Sequence, residues 1–154
     1  MVEKARPALA SVERGVIDHM SADEIARSIQ QLHTSDSEDA YFALLTETSA
    51  EDLPALIAAY DADQSEKVKA ALVRIIWQKR APSTFDFLTQ ALQRPETDVW
   101  KAALEGITVI GGEAALALLK AEESRLYRTL AADTSYRVGW IDEAVDQISR
   151  NLAG

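Results

Sequence analysis

Few side chains in this sequence are of a kind that does chemistry. His19 and His33 are the only imidazoles, and there is no cysteine. The missing thiols exclude disulfides, cysteine-ligated zinc, iron–sulfur clusters and thiol nucleophiles. Two histidines fall short of an all-protein zinc site. His19 and His33 fall at the ends of two different expected helices, where an imidazole suits the helix dipole. Asp142, Glu143 and Asp146 come nearest to a carboxylate pair for acid–base work. Residues 142 and 146 share a helix face, but they read more simply as solvated charges around Ile141, Val145 and Ile148. No Gly-x-Ser-x-Gly, phosphate-binding glycine loop or Ser-x-x-Lys pattern occurs. The expectation is a protein that is not an enzyme and holds neither cofactor nor metal.

Charge says more than catalytic residue types do. The 154 residues include 25 acids and 16 bases, for a formal net charge of −9. Phosphate-backbone binding needs lysine and arginine to displace counterions, so nucleic acid is not an expected partner. No apolar run is long enough to span a bilayer, so no membrane partner is expected. No apolar block follows the charges of Met1–Pro7, so a cytoplasmic location without a secretory signal is expected. From Ser28 to Glu66 there is no lysine or arginine. That stretch holds Asp36, Glu38, Asp39, Glu47, Glu51, Asp52, Asp61, Asp63 and Glu66. From Lys67 to Arg80 the pattern inverts, with Lys67, Lys69, Arg74, Lys79 and Arg80. Acids in first turns and cations in last turns complement helix dipoles, so a solvated surface and a docking face are both open readings.

The elements that carry these charges are helical. Leu9, Val12, Val16 and Met20 form one apolar stripe at helical spacing. Ser21 with Glu24, Ser35 with Glu38 and Ser49 with Asp52 look like successive capping boxes. Pro54 fits only the start of its helix. Two segments then repeat. Asp52–Asp61 followed by Glu66–Arg80 resembles Ser83–Gln93 followed by Asp98–Gly111. A shift of 32 places Lys69-Ala70-Ala71-Leu72 on Lys101-Ala102-Ala103-Leu104, whereas a shift of 31 places Val68 on Val99. A third unit runs from Glu113–Glu123 to Trp140–Leu152, with extra residues around Ser124–Asp133 that lengthen its first helix. Helix pairs repeating at this period predict an α-solenoid.

The run Val99-Trp100-Lys101-Ala102-Ala103-Leu104-Glu105-Gly106-Ile107-Thr108-Val109-Ile110-Gly111 is similar to a bacterial HEAT-like repeat. That pattern reads Val-Arg-x-Ala-Ala-x-x-Ala-Leu-x-x-Ile-Gly. Small residues at 102, 103 and 106 let helices approach, and Gly111 suits a left-handed helix-ending position. The resemblance implies an all-α fold, a short right-handed α-solenoid of HEAT-like helix pairs. It implies one helical-repeat domain over 1–154, with capping helices in 1–48 and three pairs in 49–154. Where that pattern has arginine, this chain has Trp100, and Lys69 in the preceding unit. A displayed Trp100 would be an interface anchor, and a packed one would be core. Trp77 carries the same two readings, and Trp140 reads as core of the last helix.

The resemblance also implies function. Second helices of each pair usually line the inner face, which would present Lys69, Arg74, Trp77, Trp100, Lys101 and Glu105. Asp36, Glu38, Asp39, Asp61 and Asp63 would surround its rim. The segment Gly139–Ile148 resembles the endings of small acidic HEAT-type immunity proteins, which neutralise a toxin. The expected function is therefore a protein-binding module for a basic partner, such as a nuclease-like toxin. Alternatives are a ligand-handling protein of the bilin-lyase type, with Tyr127, Tyr136 and Trp140 lining an apolar pocket, or an adaptor in a larger complex. The His-Glu pairs of the HEAT-like deoxyhypusine hydroxylases are absent, and HEAT-like glycosylases need a positive groove.

Overall fold

The computed structural model describes residues 19–129 and 134–154. Among these residues every regular element is helical. The helices are α1 (Ala22–Gln31), α2 (Ser37–Glu47), α3 (Leu53–Ala62), α4 (Glu66–Trp77), α5 (Pro82–Leu92), α6 (Thr97–Ile110), α7 (Gly112–Tyr127) and α8 (Thr134–Ala153), with a 3-10 turn at Ala50–Asp52 before α3. The chain divides into two compact units, one ending at Lys79 and the other beginning at Arg80. In the first, α1 packs on α2, α3 on α4, and α2 on α4. In the second, α5 packs on α6, α7 on α8, and α6 on α8. Of the expected stripe before α1, Leu9, Val12 and Val16 lie outside the described residues. Met20 is buried and its amide donates to the Glu47 carbonyl.

Local chemistry explains where the helices begin and end. The Ser21–Glu24 box forms as expected: Ser21 Oγ accepts from the Glu24 amide, and Glu24 Oε1 accepts from the Ser21 amide at 2.9 Å. Ser49 and Asp52 form a second box, closing the 3-10 turn. The Ser35–Glu38 box does not form. Thr34 intercepts that turn, donating to the Gln31 carbonyl and accepting from the Asp36 amide, so α2 starts after Asp36 with no side-chain cap. Pro54 and Pro82 occupy first turns, where a missing N–H costs little. Gly111 ends α6 at φ 64, ψ −162. The positive φ was expected, but this ψ lies outside the left-handed helical region, in space that side chains other than glycine's rarely enter. α7 continues past Glu123 to Tyr127, lengthened as expected by the residues after Ser124, and α8 starts six residues before Trp140.

The first cap supports a prediction. Ser21→Ala should cost about 1 kcal/mol in urea unfolding. The backbone hydrogen bond at Ser21 holds the Glu24 carboxyl below its ordinary value of 4.5. A carboxyl whose folded value is depressed contributes stability above its unfolded value and loses it as pH falls through the folded one. The wild-type advantage over Glu24→Gln should therefore be present at neutral pH and fade below the usual carboxylate range.

Burial fixes the repeat register. With a shift of 31, buried Val68, Leu72, Val73 and Ile76 fall on buried Val99, Ala103, Leu104 and Ile107, and half-buried Arg74 falls on exposed Glu105. A shift of 32 would set buried Val73 against exposed Glu105. Lys69 and Trp100 are then equivalent, and both are buried.

The second unit also encloses a charge. Glu122 on α7 is buried. Arg125 grips both of its oxygens, Nε to Oε1 at 2.9 Å and Nη2 to Oε2 at 2.6 Å. Gln93 Nε2 donates to Oε1 at 3.3 Å. The hydrogen bond to Glu122 raises Arg125 above its ordinary value. Nothing in the local sequence marks this pair for burial.

Candidate partner-binding surfaces

In the first unit the acids gather at the turns. His33, just past α1, places Nε2 2.8 Å from Asp63 Oδ2, just past α3. That contact brings the α1–α2 and α3–α4 turns together. Asp36, Glu38 and Asp39 open α2 beside one turn, and Asp61 closes α3 beside the other; all four are exposed. Asp63 is already engaged, since its other oxygen accepts from the Ser65 amide at 2.9 Å. At the opposite end of α1, His19 Nε2 lies 3.3 Å from Asp52 Oδ1. The two histidines therefore tie both ends of α1 to both ends of α3 through carboxylates. A dipole argument alone does not find this, because the partners are about thirty residues away.

The basic run is largely consumed inside the unit. Lys69 is buried, its ammonium donating to the Tyr60 carbonyl in the last turn of α3 and lying 4.0 Å over the Tyr60 ring. Lys79 donates to the Leu45 and Thr48 carbonyls at 3.0 and 2.8 Å, at the C-terminus of α2. Burial pushes Lys79 below its ordinary value, with the nearby Asp52 charge opposing. Each lysine satisfies carbonyls that a helix end leaves without an intrahelical donor. Lys69 is thus a cap rather than a partner-facing cation. Trp77 is buried as well and is not displayed. Arg74 stays half-buried and lines a groove of about 360 Å³ between α2 and α4, together with Glu38, Tyr41, Phe42 and Lys67. Phe42 is exposed, edge-on to Tyr41 at 5.5 Å.

In the second unit Trp100, which the sequence left open between anchor and core, is core, and Trp140, expected as core, is exposed. Trp100 is 0% exposed and Trp140 is 42% exposed. The Arg137 guanidinium lies 4.9 Å over the Trp100 ring, and Tyr136 and Trp140 meet it edge-on at 5.9 and 6.4 Å. Trp100 therefore holds α6 to α8 and is no anchor for a partner. Arg137 Nη1 also donates to the Leu92 carbonyl at 3.3 Å. Early initiation of α8 puts Tyr136 and Arg137 on the helix, whose buried stripe runs through Arg137, Ile141, Ala144 and Ile148 and leaves Trp140 at its edge.

Beside this cluster, α6 and α8 enclose a groove of about 480 Å³. Lys101, Glu105 and Thr108 line one wall, and Trp140, Glu143 and Gln147 line the other. The Lys101 ammonium sits 4.3 Å from the Trp140 ring centre and 4.9 Å from that of Tyr136. Of the residues expected to meet a partner, Lys101 and Glu105 share this groove, Glu38 and Arg74 share the α2–α4 groove, and Asp36, Asp39 and Asp61 lie on the acidic turns. Among the described residues no His/Asp/Glu cluster could hold a metal ion, and no helix is long and apolar enough to cross a membrane.

A family model described as HEAT repeats matches residues 53–134, more than half of the chain. No curated protein and no solved structure matches it. HEAT repeats generally mediate protein–protein interaction and are typically non-catalytic. The matched span runs from α3 to the first residue of α8, covering the two repeats whose burial coincides at a shift of 31. By sequence pattern, paired helices and family model alike, this chain is a member of the HEAT repeat family.

Proposed function

We propose that this chain is a non-catalytic protein-binding module whose partner is basic, and that it acts as an inhibitor of a basic bacterial toxin in the manner of an immunity protein. The observation that carries the reading is the set of exposed carboxylates Asp36, Glu38, Asp39 and Asp61, placed at adjoining turns within a stretch that has no lysine or arginine. Such a surface steers a cationic partner and opposes anionic ones. An acidic inhibitor seated on a nuclease-type cleft would block its substrate by occupying the same positive field. Reversing all four acids to lysine should weaken the complex by more than about 1 kcal/mol and flatten its salt dependence, mainly through a slower association rate. Unchanged affinity and salt slope in the fourfold variant, with the helical content intact, would exclude this face.

A further inference from the structure

The oxygen of Tyr136 has surroundings unlike those of an ordinary surface phenol. It accepts a 2.5 Å hydrogen bond from the Lys101 ammonium, and the Trp140 side chain supplies a second hydrogen bond. The same ammonium lies 4.3 Å from the Trp140 ring centre, which holds it in place. Two donors, one fully charged, favour the phenolate over the phenol. The bond from Lys101 is the main cause that brings Tyr136 below its usual value of 10, with burial opposing and Trp140 assisting. The ring is 50% exposed, so an electrophile can reach the oxygen. An oxygen nucleophile can be activated by such stabilisation of its anion when the electrophile has access to it.

We propose that Tyr136 is a nucleophilic tyrosine, an oxygen-modification site for acyl, phosphoryl or sulfonyl electrophiles that carry a leaving group. In the step, the phenol proton passes to solvent and the phenolate oxygen forms the new bond. The bond to the leaving group breaks, and its electron pair departs with that group. No oxidant or reductant is needed. A group attached here stands beside Lys101 and Trp140, both of which line the α6–α8 groove. Modification would therefore alter the surface that the second unit offers.

The test uses the whole chain and an aryl sulfonyl fluoride as probe, with adducts located by peptide mass mapping. Tyr127 is the internal comparison, since it is more exposed at 66%. Tyr136 is expected to label several-fold faster than Tyr127 at neutral pH. Lys101→Met and Trp140→Phe should each slow Tyr136 and leave Tyr127 unchanged. Equal or faster labelling of Tyr127 in the wild type would overturn the proposal. So would an adduct on the Lys101 nitrogen in place of the Tyr136 oxygen. The wild-type comparison stands whether or not either variant folds.

Discussion

Trp100→Ala is expected to destabilise the protein by about 3–5 kcal/mol, measured as the loss in urea unfolding followed by helical circular dichroism. The side chain is completely buried, and its ring meets Arg137, Tyr136 and Trp140, all on α8. Truncation would leave a cavity between α6 and α8 and strip the buried Arg137 guanidinium of the ring it lies on. A typical domain has only about 5–15 kcal/mol of stability, so this one change removes a large share. Trp140→Ala removes a ring that is 42% exposed and should cost clearly less. The ordering separates the two roles. Were Trp100 a displayed anchor, its loss would stay within about 0.5 kcal/mol, as surface substitutions usually do.

Arg125→Leu should cost about 2–3 kcal/mol, because it leaves the Glu122 carboxylate buried without its bidentate partner. Gln93 remains, but a single neutral donor at 3.3 Å does not replace a guanidinium. The arginine side chain itself is 41% exposed, so water offsets part of the penalty and the lower end of the range for buried pairs applies. The paired substitution Arg125→Leu with Glu122→Leu should recover most of the loss, since burying two apolar groups carries no unpaired charge. A double-mutant cycle in urea checks both statements. If the single and double variants are equally unstable, the damage comes from packing of the arginine stem and not from the stranded carboxylate.

Local chemistry was the legible part of the sequence. The Ser21–Glu24 and Ser49–Asp52 boxes act within three residues, and both form. Ser35–Glu38 has the same spelling and fails because Thr34, one residue earlier, closes the turn first. The all-helical class and the HEAT-like run at Val99–Gly111 were also legible, since helical periodicity and small-residue spacing repeat along the chain. Exposure of the tryptophans was not. Trp100 and Lys69 share a repeat position that reads as polar in the wider pattern, yet each finds a buried partner by tertiary contact. The bond between Lys101 and Tyr136 joins residues 35 apart and depends on α8 starting at Thr134. Likewise, the basic run from Lys67 to Arg80 suggested a face, whereas Lys69 and Lys79 spend their charge on helix ends. The acidic turns were legible as composition, but the contact that joins them, His33 to Asp63, spans 30 residues.

The central claim is that the exposed carboxylates of the first unit receive a basic protein. The most direct measurement is a tagged pull-down from the source cells with two baits, the wild-type chain and the fourfold Asp36, Glu38, Asp39 and Asp61 reversal to lysine, each washed at low and then high salt. The expected result is a basic protein retained by the wild type, released by high salt, absent from the reversed bait, and toxic when expressed without this chain. Retention of the same protein by both baits through the high-salt wash would contradict the claim, as would a captured partner that is acidic.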